Sequence, residues 1–383
     1  MNTIQYAQAV PENVKDFYSQ NDTVDFQIEF PGRALMLNKI RIVGDLEVHT
    51  TGSTPISSTN NYKIDPQIGI HSVIQQANVN FQKVGSIESS VEYPRYVKMI
   101  TSASKHYNDM NSSEYVSELR SCDESISSRV ILPRVPKTYG GENTDGTIAQ
   151  LPTGAGQKVN FSFKPYLCIN RAVGNDTLSY QSSGAINISL ILERNLGVLY
   201  GTDVDADSNY RLSNLRLCYM TVPDVEQPQK VIMRHSVLLK NSLQSAVSNI
   251  SSKVPAVCDS VMISFLNKSH EYTANNNNTQ LAQPPSISKV RYLFNDNFSQ
   301  YITFEITDRI EMIERGIQAV KLSADSAMLS KLAVNESYLI GLDWNSMIDL
   351  SQTKFNINLS SAIDNVDNSY IMYSYFNSVI SVN

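Results

Sequence analysis

Val24, Phe26, Ile28 and Phe30 alternate with Asp25, Gln27 and Glu29, the period-two pattern of a strand with one buried and one polar face. Ile40, Ile42, Leu46 and Val48 then face away from Lys39, Arg41, Asp45 and Glu47. The pattern returns at Val159, Phe161 and Phe163, and again at Ile186, Ile188, Leu190 and Leu192. Residues 211–222 turn apolar on both faces towards their end, which predicts a central strand. Strand signals resume at 261–266, at 290–294, at Ile302, Phe304 and Ile306, at Phe355, Ile357 and Leu359, and at 370–382.

Helical spacing is rarer. Ile310, Ile313, Ile317 and Val320 recur as on one helix face, predicting a helix over 308–322. Residues 88–106, with Pro94 near the start, read as a second helix, and 70–77, 234–249 and 323–334 as shorter candidates. Residues 219–231, YMTVPDVEQPQKV, carry two prolines and a charge cluster without periodicity, as expected where a strand runs into a linker.

The halves repeat in outline. INISLILE followed by YRLSNLRLCYMTV ends the first, and KFNINLSS followed by SYIMYSYFNSVISV ends the second. Residues 65–82 place a short helical segment before a strand, and 245–266 read similarly. At 383 residues the chain exceeds one comfortable core, so two units of roughly 150 to 200 residues are expected. The predicted organisation is an N-terminal arm at 1–20, a first jelly roll at 21–222, a linker at 223–233 and a second jelly roll at 234–383. The fold class is all-β: two tandem jelly-roll β-sandwiches with a few short helices in the inter-strand loops. A doubly wound α/β sheet would need strand and helix to alternate regularly, and they do not. Long polar loops at 49–65, 135–158 and 269–288 are expected to form exposed towers or clamps to neighbours.

Composition supports this. Charged residues make up 18%, below the usual share of about 25%, while Asn, Ser, Thr and Tyr are frequent. The net charge is −6 with no Lys/Arg block, which argues against a nucleic-acid-binding arm. No signal or transit pattern opens the chain and no run of about 18 apolar residues occurs, so a soluble protein made in the cytosol is expected. Cys122, Cys168, Cys218 and Cys258 are too far apart for a CxxC site and read as buried small hydrophobes.

The search for chemistry returns little. His49, His71, His106, His235 and His270 show no metal-ligand spacing, and His71 within GIHSVI reads as a core or cap histidine. Gly140, Gly141, Gly146, Gly154 and Gly156 build neither phosphate-binding signature and read as loop glycines. Asp203, Asp205 and Asp207 open like a calcium loop, but Ser208 stands where Gly is needed and Asn214 where a bidentate Glu is needed, so a solvated turn is expected. Tyr370, Tyr373, Tyr375 and Phe376 read as sandwich core and subunit interface in preference to a stacking platform, and the lone Trp344 as packing. No catalytic, cofactor-binding or metal-ligating residue is assigned, no cofactor is implied, and the chain is read as non-enzymatic.

The tandem β organisation, with IDPQIGIHSVIQQANVNF (64–81), IESSVEYPRYVKM (87–99), VRYLFND (290–296) and YLIGLDWNSMIDLSQTKFNINLS (338–360), resembles the double-jelly-roll major capsid proteins of tailless icosahedral double-stranded DNA viruses, the group of tectivirus-like phages, virophages and polinton-like elements. The resemblance covers most of the chain. It implies a homotrimer whose six jelly rolls make a pseudo-hexagonal capsomer. Its partners would be copies of itself, neighbouring capsomers, penton and minor capsid proteins and an internal viral membrane, without sequence-specific nucleic-acid binding. It implies a place in the virion capsid after synthesis in host cytoplasm. The alternatives are a carbohydrate-binding or receptor-binding β-sandwich, spike-like or lectin-like, and a β-sandwich glycoside hydrolase with two carboxylates flanking a cleft.

Overall fold

A computed structural model describes residues 3–50, 54, 56, 61–103, 117–120, 158–224, 230–243, 247–282, 287–295, 300–320, 338–360 and 369–382. In its first part run β1 (Gln5–Ala9), β2 (Thr23–Ile28), β3 (Arg33–Met36), β4 (Arg41–His49), β5 (Ile74–Phe81), β6 (Gly85–Val91), α1 (Tyr93–Ala103), β7 (Val159–Phe163), β8 (Ala172–Val173), β9 (Thr177–Ser179), α2 (Tyr180–Ser183), β10 (Ile186–Leu192), α3 (Asn195–Val198) and β11 (Asn209–Pro223). The second part holds β12 (Val231–Leu243), β13 (Val247–Ser252), β14 (Val257–Asn267), β15 (Lys289–Asn295), β16 (Gln300–Ile306), α4 (Arg309–Ala319), β17 (Leu339–Asp349), β18 (Lys354–Ser360) and β19 (Tyr370–Val382).

Alternation dictates the strands. In β2, Val24, Phe26 and Ile28 are buried and the residues between them are not; β10 and β18 repeat the pattern. Each set of buried faces needs a second sheet to close on. In the second part β12-β19-β14-β17 form one sheet, extended by β8, and β13-β18-β15-β16 the other. In the first part β11 takes β1 along one edge and β4 then β3 along the other, β7 follows β4, β9 follows β3, and β2-β10-β5-β6 form the facing sheet.

Setting aside the short β3, β8 and β9, both parts use eight strands in the same arrangement: first-eighth-third-sixth in one sheet, second-seventh-fourth-fifth in the other. That is the jelly roll, present twice. In both parts a helix, α1 or α4, follows the fifth strand before the sixth. The seventh and eighth strands are β10 with β11 and β18 with β19, the segments whose likeness the sequence displays.

Each sandwich has its own core. The first is centred on residues such as Phe26, Ile42, Val79, Ile188 and Leu217, the second on Val261, Tyr292, Phe294, Phe355 and Phe376. Within residues 1–20, β1 completes the first sheet, and Tyr18 bridges to Leu212 further along β11.

Several helical expectations need correction. Residues 88–91 belong to β6, which pairs with β5; the chain turns at Glu92, whose φ of 52° ends the strand, and α1 begins at Tyr93. Pro94 then sits in the first helical turn, where a missing N–H costs nothing. Of 234–249, residues 234–243 belong to β12, which pairs with β19 along its whole length, and 247–249 to β13, while 244–246 lie outside the described residues. Neighbouring apolar residues there serve two faces of a sheet, which imitates helical spacing. Of 70–77, residues 70–73 form a 3₁₀ turn and 74–77 are β5. The likeness drawn between 65–82 and 245–266 also fails, because β5 is a fourth strand whose counterpart is β15, whereas 245–266 covers the second and third strands. The candidate helix at 323–334 and most of the loop at 135–158 lie outside the described residues.

Helix α4 lies directly on β17 through two glycines. A Cβ on Gly316 would come within 2.7 Å of the Leu339 carbonyl oxygen, and one on Gly341 within 3.3 Å of the Gly316 Cα. Gly316→Val is therefore expected to lift the helix and cost roughly 1–3 kcal/mol, measured by urea unfolding. Wild-type stability in that variant would contradict the seating.

Candidate assembly surfaces and the sealed junction

Residues 93–102 of helix α1 are all buried. Tyr93 and Val97, four residues apart, join the first core, while Tyr96, Met99 and Ile100 face the second sandwich and pack with Met262 and Leu266 of β14 and with Ile371, Tyr373 and Tyr375 of β19. The apolar run of β19 follows from this. Tyr370, Met372 and Phe376 point into the second core, and Ile371, Tyr373 and Tyr375 lie under α1. The tyrosine stripe is thus interior to the chain, with Tyr373 and Tyr375 each 1% exposed, which removes it as a sugar-stacking platform.

Charged groups cross the same junction. Arg95 donates to the carbonyl oxygens of Asn278 and Gln280, and its guanidinium lies 4.3 Å from the Tyr373 ring centre. Lys98 bonds Asp65 at 2.9 Å, and Asn277 and Thr279, from the loop after β14, donate to the same carboxylate. Burial opposes that charge, yet Lys98, Thr279 and Asn277 hold the Asp65 carboxyl down at about 2. Lys240 on β12 reaches both Glu92 and Glu271 at 3.2 Å. Arg234 pairs with Asp259 at 3.0 Å, and its N–H donates to the Arg171 carbonyl oxygen.

Two buried carboxyls have the opposite character. Burial pushes Glu88 up to about 7 although the Cys168 N–H donates to it at 2.6 Å and Arg171 lies near. Burial also pushes Glu193 up to about 7 against the Arg194 N–H.

The residues singled out from the sequence scatter through this frame. His71 is fully buried, with Nδ1 2.9 Å from the Tyr93 hydroxyl and Nε2 3.6 Å from Glu118; burial lowers its pKa. His49 is buried beside Glu47, His235 lies on β12, and His106 falls outside the described residues. Asp205 accepts from the N–H groups of Asp207 and Ser208, and Asp203 from the N–H of Asn61. Their carboxylates organise the turn. Cys168, Cys218 and Cys258 are free and buried; Cys122 and the five loop glycines from Gly140 to Gly156 lie outside the described residues. Trp344 donates to the Cys258 carbonyl oxygen and packs edge-on against Phe294 and tilted against Phe355. Among the described residues no group of three or more His, Cys, Asp or Glu converges as metal ligands would.

Sequence reasoning missed the junction charges Asp65, Arg95, Lys98 and Arg171. The available signal was the insertion of Glu92, Arg95 and Lys98 among Tyr93, Tyr96, Val97 and Met99: a helix apolar on two sides leaves its charges nowhere to go but between packed partners. The open surface differs from this interior. Ile4, Tyr6, Val10, Val14 and Phe17 are 44–74% exposed, a concentration of uncovered apolar side chains along the N-terminal segment.

No protein-family model matches the chain, and no curated protein matches it by sequence. Solved structures do match. The Faustovirus major capsid protein superposes with a TM-score of 0.66 at 8% identity, over 100% of this chain and 90% of its own. The chain has the double-jelly-roll fold of viral major capsid proteins. VP54 of PBCV-1, in a structure where it was fitted into a reconstruction of the virophage Sputnik, matches with a TM-score of 0.60 at 8% identity over 100% of this chain and 95% of VP54. A chain of the Sputnik virophage matches with a TM-score of 0.57 at 11% identity, over 99% and 86% respectively. At such identities the shared property is the fold, and what this double jelly roll does follows from its surfaces.

Proposed function

We propose that this chain is a major capsid protein, a non-enzymatic structural subunit that assembles as a homotrimer into pseudo-hexagonal capsomers of an icosahedral virion shell. The observation that carries the reading is that two jelly rolls of identical strand order, sealed together through α1, account for the described chain and superpose on the Faustovirus major capsid protein over 100% of this chain and 90% of that one. A sealed junction suits a subunit whose function is geometry, because the two sandwiches then present their outer faces at a fixed angle. We divide the chain into an arm at 1–20, a first jelly roll at 21–222, a linker at 223–233 and a second jelly roll at 234–383; the end of β11 at Pro223 and the start of β12 at Val231 support a boundary in this region. Capsomer neighbours, penton and minor capsid proteins and an internal membrane are the partners of such a subunit, made in host cytoplasm and resident in the virion.

Light scattering on the purified protein tests this. A species of three times the chain mass, with a pseudo-hexagonal outline in negative stain, is expected. A monomer at micromolar concentration would overturn the trimer.

A further inference from the structure

The β2-β10-β5-β6 sheet turns a second face outward, and its composition is unusual for a face left in water. Its central cross-strand row is Asp25, Ser189, Asn78 and Ser89. The row on one side is Gln27, Asn187, Asn80 and Ser86. The row on the other is Thr23, Ile191, Gln76 and Val91. All are at least partly exposed, and Asp25 is the only charge among them; Glu29 follows on the same face just past β2, where it accepts from the Gln27 amide. A soluble surface of this size usually carries about three or four charges of both signs. An outer strand such as β6 usually carries a lysine to discourage pairing, and this face has none. Depletion of charge beside neutral hydrogen-bonding groups is instead the composition of the centre of a wet protein interface.

The equivalent face of the second sandwich supplies a complement. There Asn249, Asn358, Arg291 and Glu305 form one cross-strand row, flanked by Val247, Ser360 and Lys289. Glu305 lies 3.4 Å from Arg291 and 3.5 Å from Lys289, so one acid is shared by two bases and the face is left positive. Amide side chains donate and accept at once, so two such rows can bond each other, and Asp25 has a cation to meet.

We propose that the outer β2-β10-β5-β6 face is a contact surface between copies of this chain, and that its occupant is the β13-β18-β15-β16 face of a neighbouring copy. The proposal rests on the shell-subunit reading and adds to it the surface by which assembled capsomers adhere to one another. Each contact is hydrated and weak, and repetition around a shell makes it sufficient.

The test is the concentration at which the purified protein associates beyond its basic oligomer, followed by light scattering. Asn78→Lys with Ser189→Lys sets two cations opposite Lys289 and Arg291, and is expected to raise that concentration tenfold or more while the melting temperature and the oligomer mass stay at wild type. Asp25→Arg is expected to act in the same direction, and Arg291→Asp in the same chain to restore association to within about threefold of wild type. An unchanged concentration in the lysine variant, an arginine variant that Arg291→Asp makes worse, or a wild-type protein that never grows beyond its basic oligomer would each overturn the contact. Failure of the trimer reading is seen separately, in the oligomer mass of the unmodified protein.

Discussion

Lys98→Met is expected to destabilise the fold by roughly 3–5 kcal/mol, read as a lowered urea midpoint with an unchanged slope. Asp65 is 1% exposed and lies where the first sandwich meets the loop following β14. Its carboxylate accepts from Lys98, from Asn277 and Thr279 across the junction, and from the N–H groups of Gln67 and Ile68. Methionine keeps the shape of lysine and removes the charge, so the variant strands an anion among neutral donors. The attraction between the two ions is mostly spent on their desolvation, and the loss of one partner exposes that cost. Two further readouts separate this from a packing defect. Asp65→Asn added to Lys98→Met should recover part of the loss, a coupling of about 1–3 kcal/mol. The deficit of the single variant should also shrink in acid, where Asp65 takes up a proton. A loss below 1 kcal/mol would mean that the pair does not hold the junction.

The contrast between what the sequence displayed and what it hid has a physical source. Strands such as β2, β10 and β18 were legible because each serves one core and one polar face, so burial is written as alternation. The pairing of β10 with β11 and of β18 with β19 as corresponding ends was legible for the same reason. β12 was not, because β19 and β8 pair along its two edges and its apolar residues are divided between faces. Nor was the role of the tyrosines in β19: from the sequence, Tyr373 and Tyr375 are equally suited to a subunit interface, and only the placement of α1 turns them inward. The junction was hidden altogether, since Asp65 meets Thr279 across more than two hundred residues and no local pattern encodes that meeting. Asp65, Glu88, Glu92, Arg95 and Lys98 nonetheless fall within the two segments, 64–81 and 87–99, that carried the family resemblance.

Stability is expected to peak in mildly acidic solution and to fall on both sides, for reasons that sit on different residues. Glu88 and Glu193 are pushed up to about 7 by burial, so between the ordinary carboxylate range and pH 7 the unfolded chain ionises while the folded one keeps its protons. Stability therefore falls as pH rises through that window, by up to about 3 kcal/mol for each group, and the loss is complete above pH 7. Asp65 and Glu118 are held down at about 2, so their contribution is complete above the ordinary carboxylate range and is lost as pH falls towards 2. His71, kept neutral by burial, adds to the acid limb: below about pH 6.5 the unfolded chain gains a proton that the folded chain refuses. Glu88→Gln isolates the alkaline limb. The amide oxygen can still accept from the Cys168 N–H, and the group no longer ionises. The variant should match wild type at pH 4 and exceed it by up to about 3 kcal/mol at pH 8, in urea unfolding at each pH. Equal losses at both values would mean that Glu88 is held as an anion by Arg171, and that the junction carries a second ion pair where burial indicates a neutral acid.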